Sequence, residues 1–234
     1  MVKDELIQRS PLRVLEKSIH GGLGRGNVGV LASPKGVGKT ACLVHIATDK
    51  LLQGKPIIHV SYSSRVDYII TWYEDIFKEI AKNRKLSDAV DVHDEIIKNR
   101  VIMNFKQEGS RTEQVLKSVE AMITFGKFAA ESIIVDGYDF TRSACEDLEK
   151  FKAFAAKLGL EVWFSASLKD NGTPLYEEAS GVPVVLNPLC AAIDVLITLH
   201  AKGDHVEIKV VKDHEHPAPG VLPIKLDPKT LLIQ

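Results

Sequence analysis

Ser33-Pro34-Lys35-Gly36-Val37-Gly38-Lys39-Thr40 follows directly on the apolar run Val28-Gly29-Val30-Leu31-Ala32, and the apolar residues Ala41, Cys42, Leu43, Val44, Ile46 and Ala47 come next. A buried strand feeding a glycine-rich turn and then a helix constrains this chain more than any other feature. The turn approximates the phosphate-loop pattern G-x-x-x-x-G-K-[ST]. In that pattern backbone N–H groups point at phosphate oxygens, the lysine reaches the terminal phosphates and the hydroxyl ligates Mg²⁺. Lys39 and Thr40 hold those last two places. The helix behind the loop adds the positive end of its dipole. Ser33 stands where the pattern has its first glycine, a replacement tolerated where the backbone keeps an ordinary φ. The expected binding set is Ser33, Pro34, Lys35, Gly36, Val37, Gly38, Lys39, Thr40 and Ala41, holding a nucleotide.

The rest of the chain supplies a fold around that turn. With 234 residues, 45% of them hydrophobic, the chain suffices for one large α/β domain with a core on both faces of a sheet, or for two small ones. No repeat or linker marks a second domain, so residues 1–234 read as one, with 1–27 as a helical lead split by Pro11 and a glycine-rich connection. Strands are expected at 28–32, 56–62, 101–105, 132–136 and 161–166. They alternate with helices after the loop, over 65–99 with a break at 85–88, over 112–127 and over 146–158. Such alternation implies a mostly parallel sheet with helices on both faces and a site at the carboxyl ends of the strands. From Ile193 the pattern turns to closely spaced strands at 193–200, 205–212 and 221–226, read as an antiparallel C-terminal extension.

Thirty basic against thirty-one acidic side chains, a net charge of −1, gives no global field favouring nucleic acid or an anionic membrane. The N-terminus has no basic segment followed by an apolar core, and the long apolar stretch 182–199 is broken by Asn187, Pro188 and Asp194. Cys42, Cys145 and Cys190 are widely spaced, as reduced thiols of a cytoplasmic protein would be.

Asp136 ends the apolar strand Ser132-Ile133-Ile134-Val135, where a buried strand aims a carboxylate at Mg²⁺ beside the phosphates, so Thr40 and Asp136 are the expected metal pair. With both motifs in view, nearly the whole chain resembles the RecA/KaiC-like branch of P-loop ATPases. Gly21-Gly22-Leu23-Gly24-Arg25-Gly26-Asn27-Val28 is similar to that family's glycine-rich lead, Val60-Ser61-Tyr62 to the end of its second strand, Ile134-Val135-Asp136 to its Walker B strand, and Val210-Val211-Lys212-Asp213-His214 to the late strand bearing K-x-R. The ParA/MinD type has an extra lysine beside the first glycine position, where this chain has Pro34. The resemblance implies Mg·ATP as ligand and a homo-oligomer with nucleotide near a subunit boundary.

Two departures qualify the implied activity. The family's second strand ends in glutamates that polarise water, and the aligned residues are Ser63 and Ser64. Serine is no general base near neutral pH, and losing such a base removes ~10²- to 10⁴-fold of rate. Asp67 and Glu74 lie further along as substitutes. His214 replaces the arginine of K-x-R, a shorter and mostly neutral group at pH 7, while Lys212 is retained. The catalytic candidates are therefore Lys39, Asp67, Lys212 and His214, with solvation of an edge strand the alternative for the last two. His214 and His216 lack a third spaced metal ligand. The loop 168–189, with Lys169, Asp170, Tyr176, Glu177 and Glu178, lacks the basic residues that phosphate neutralisation of DNA requires. The expected function is Mg·ATP binding with slow or absent hydrolysis, as an assembly or conformational switch. The alternatives are an active DNA-dependent motor and an interaction scaffold that binds no nucleotide.

Overall fold

The computed structural model describes residues 3–62, 65–106, 111–142, 144–169, 172 and 174–234. In order the chain forms α1 (Lys3–Gln8), α2 (Leu12–Ser18), β1 (Val28–Pro34), α3 (Lys39–Leu52), β2 (Ile57–Ser61), α4 (Val66–Arg84), α5 (Ala89–Lys98), β3 (Arg100–Asn104) and α6 (Thr112–Thr124). There follow β4 (Ser132–Asp136), α7 (Cys145–Leu158), β5 (Glu161–Leu168), a 3₁₀ helix (Val184–Ala192), β6 (Val195–Lys202), β7 (His205–Asp213) and β8 (Gly220–Leu226). All eight strands belong to one sheet, in the order β3-β2-β4-β5-β1-β6-β7-β8.

The first six strands are parallel neighbours, and β7 and β8 are antiparallel. This corrects the expectation that everything from Ile193 is antiparallel: β6 runs parallel to β1, pairing Gly29 with Val195 and Ala32 with Thr198. The physical reason is the path before it. The segment after β5 carries the 3₁₀ helix across the α7 face and returns the chain to the sheet edge where β1 starts. There the Asp194 N–H donates to the Val28 carbonyl (2.8 Å) and the Asp194 carboxylate accepts from the Val28 N–H (2.8 Å).

Helices cover both faces of the parallel part, which is why β2 and β4 show no polar–apolar alternation and are buried throughout, His59 included. On one face Leu31, Ile134, Trp163 and Ile197 pack with Ala47 and Leu51 of α3 and with Ile69, Tyr73 and Ile76 of α4. On the other, Val30, Val60, Val135 and Phe164 meet Val115 and Val119 of α6 and Leu148 and Phe151 of α7. α3 lies centrally, buried nearly all round; accordingly its sequence shows no polar face. β7 and β8 bury only alternate residues, such as Val206, Ile208 and Val210 opposite Leu222, Ile224 and Leu226, as a sheet covered on one side does. Lys85, at positive φ, ends α4 where the sequence predicts the break. The three cysteines are free. No helix among the described residues is long and apolar enough to cross a membrane.

Candidate nucleotide site

Strand order creates the site. β5 lies between β1 and β4, so the carboxyl ends of these three strands place the 35–38 loop, Leu168 and Asp136 along one edge of the sheet. The loop turns on two left-handed residues, Gly36 (φ 85°) and Gly38 (φ 119°). At Gly36 only φ demands glycine. At Gly38 a Cβ would also come within 2.3 Å of Leu226 Cδ2, so the loop is seated against β8 as well as turned. Ser33 is buried and does not have positive φ, so its backbone needs no glycine there. Gly38 occupies the N-cap of α3 with no side-chain cap, leaving the first-turn N–H groups of a 14-residue helix to an external acceptor.

Thr40 Oγ1 donates to Asp136 Oδ2 at 3.0 Å, joining the first turn of α3 to the end of β4 across 96 positions. The other carboxylate oxygen, Oδ1, accepts from Ser165 Oγ at 2.5 Å, and Ser165 Oγ accepts in turn from the Gly137 N–H at 2.9 Å. The Tyr62 N–H donates to the Asp136 carbonyl (2.9 Å), tying the ends of β2 and β4 together. Beneath this turn Tyr138 makes edge contacts with Tyr62, Phe140, Phe151 and Phe164. Thr40 and Asp136 offer hard oxygen donors of the kind Mg²⁺ takes. Their 3.0 Å separation also matches the edge between adjacent ligands of an octahedron with ~2.1 Å metal–oxygen bonds, about 3.0 Å. The pair fits the metal.

Lys39 is buried, and its ammonium folds back onto the start of its own loop, donating to the Ser33 carbonyl (2.9 Å), the Pro34 carbonyl (2.9 Å) and Ser33 Oγ (3.2 Å). Burial lowers its pKa from 10.5 to about 8, against the opposing pull of Asp136. Lys35 and Gly36 are exposed, Val37 packs on the edge of the core and Ala41 is fully buried. Of the 33–41 set, Thr40 meets Asp136 directly and Lys39 lies within reach of its charge.

The remaining candidates do not. Asp67 is exposed in the first turn of α4, its carboxylate held by the Arg65 guanidinium. Glu74 is drawn to His93 (2.5 Å) and toward Arg100, at the start of β3 and hence the opposite edge of the sheet. Ser63, Ser64 and Asp170 lie outside the described residues. Lys212 pairs with Leu196, which pairs with Val30, four residues short of Pro34; that separation is about 13 Å at ~3.3 Å per residue. Its ammonium donates to the Cys190 (2.7 Å) and Ile193 (2.5 Å) carbonyls. His214 bonds the buried Asp213 through Nδ1 (2.8 Å) and the Leu23 carbonyl through Nε2 (3.0 Å). The Leu23 carbonyl can only accept, so Nε2 carries a proton, and the Asp213 carboxyl beside Nδ1 favours the charged ring. Partial burial opposes that charge, and the bonds to Leu23 and Asp213 outweigh it, raising the His214 pKa. His20 bonds the other Asp213 oxygen (2.7 Å) and stacks on His216. Lys212 and His214 therefore fasten the 3₁₀ segment and the glycine-rich lead to the sheet edge remote from the loop. Tyr176 and Glu177 are likewise committed, through a bridge to Pro183 and a bond from Asn187.

Ser165 is the participant that motif reading misses. Its only sequence signal is a serine at the core of an otherwise apolar strand, Val162-Trp163-Phe164-Ser165-Ala166. No family model and no curated protein matches this chain.

Proposed function

We propose that the chain is a RecA/KaiC-like P-loop protein that binds Mg·ATP at residues 33–41, with Thr40 and Asp136 on the metal. The observation that carries this reading is the Thr40–Asp136 contact at 3.0 Å beside the uncapped start of α3. A glycine-rich turn alone occurs for many reasons. A turn whose helix hydroxyl meets a strand-end carboxylate from 96 positions away has the parts of a metal–phosphate site. The backbone N–H groups of 36–41 would receive phosphate oxygens. Lys39 would leave the Ser33 and Pro34 carbonyls for the terminal phosphates, and Mg²⁺, when bound, would neutralise charge between them.

Hydrolysis is proposed to be slow. Asp67 and Glu74 are engaged elsewhere, and the positions that the resemblance gives to a water-polarising glutamate are Ser63 and Ser64. Nucleotide then acts as a cytoplasmic conformational or assembly switch, with Lys39 release as its first movement. The engaged ammonium of Lys212 gives an oligomer built through that residue no support. Calorimetric titration with ATP, with and without Mg²⁺, beside a turnover assay, tests the reading. Saturable binding that Mg²⁺ strengthens, with turnover below ~1 s⁻¹, is expected; absence of binding would refute it.

A further inference from the structure

We infer that Ser165 is the positioning residue of the metal pair, setting which oxygen of Asp136 faces Thr40; this rests on the Mg·ATP reading above. Thr40 supplies one polar atom and Asp136 two, so something must decide how the carboxylate is turned. Ser165 is 2% exposed and Asp136 9%, so the protein's own groups, more than bulk water, set that turn. A serine hydroxyl has one proton to give. Here it goes to Asp136 Oδ1 over 2.5 Å, the short range of a charge-assisted bond. Ser165 Oγ accepts in turn from the Gly137 N–H at 2.9 Å. The hydroxyl proton thus cannot turn away without giving up Asp136 Oδ1.

The consequence is one orientation of the carboxylate. Oδ1 is held by β5, Oδ2 is left for Thr40, and the Asp136 backbone is pinned from the other side by the Tyr62 N–H. The strand inserted between β1 and β4 thereby acquires a chemical role in addition to its packing. It carries the group that orients a metal ligand on its neighbour. Outer-shell partners of this kind typically contribute 10- to 100-fold to metal affinity.

The test measures binding of the fluorescent analogue mant-ATP across a Mg²⁺ titration and, separately, in EDTA, for wild type, Ser165→Ala and Ser165→Thr. Ser165→Ala should raise the Mg²⁺ concentration for half-maximal strengthening of binding by about 10- to 100-fold. Affinity in EDTA, which reads the loop alone, should stay at the wild-type value, and Ser165→Thr, which keeps the hydroxyl, should restore the Mg²⁺ dependence. An unchanged Mg²⁺ midpoint in Ser165→Ala overturns the inference. So does an equal loss with and without metal, which would make the serine a prop of the fold. A wild type that binds mant-ATP under neither condition refutes the nucleotide reading itself, and is told apart by requiring no variant.

Discussion

Replacing Lys39 by methionine should make the empty protein more stable while removing its response to nucleotide. Burial takes the Lys39 pKa from 10.5 to about 8. At 1.36 kcal/mol per pH unit that is about 3 kcal/mol held against the folded state while the ammonium is charged. The three oxygens from Ser33 and Pro34 offset part of it, leaving a net cost of ~1–2 kcal/mol. Between about pH 8 and 10.5 the unfolded chain holds more protons than the folded one, so stability rises with pH across that window. Methionine keeps the aliphatic stem and removes the charge. Its empty form should melt roughly 2 to 8 °C higher at pH 7 and lose the alkaline rise. Mg·ATP at about 100 times Kd should stabilise the wild type by ~2.7 kcal/mol, a rise of roughly 5 to 11 °C, and should barely move the variant. Differential scanning fluorimetry at pH 7 and pH 9.5, with and without Mg·ATP, reads all four states. A variant that melts below wild type when empty, or that keeps the full nucleotide shift, refutes the reasoning.

Two further outcomes follow from single contacts. The raised His214 pKa gives a contribution that is whole below the unfolded value of 6.5 and is lost as pH rises through the folded one. Asp213, Asp194, Lys212, His20 and His216 all face that corner. Chemical denaturation from pH 5.5 to 8.5 should show wild-type stability falling with a component that His214→Gln abolishes; parallel profiles would refute a raised His214 pKa. Gly29→Ala would place a Cβ 2.5 Å from the ring of Trp163, itself 2% exposed. The cost should be ~1–3 kcal/mol, partly recovered in Gly29→Ala/Trp163→Leu, and a melting midpoint equal to wild type would show that the indole has room to move.

The features legible in sequence are those with local causes. Gly36 and Gly38 announce the turn because positive φ excludes most side chains. The largely apolar, non-alternating runs of β1, β2 and β4 announce burial on both faces because each strand has to shed water from every side chain it carries. The break at 85–88 shows because the α4 periodicity stops there. Asp136 stands out because a carboxylate ending such a run is costly unless something receives it.

Tertiary structure alone decided the rest. β6 would be equally apolar in either direction, and only the crossover through the 3₁₀ helix turned it parallel to β1. Period-two patterning tells which face of β7 is covered but not which end of a strand meets the loop. Within this chain Lys212 fastens the 3₁₀ segment and His214 the glycine-rich lead, far from the chain's own loop, which sequence alone does not show. Ser165 looks like any polar residue in a strand until β5 is inserted between β1 and β4 and brings its hydroxyl to Asp136. Sterics and solvation act on a residue and its near neighbours, so sequence records them directly. The choice of strand order is made by contacts between segments tens of residues apart, whose loop-closure cost is repaid only by the packing of the whole sheet.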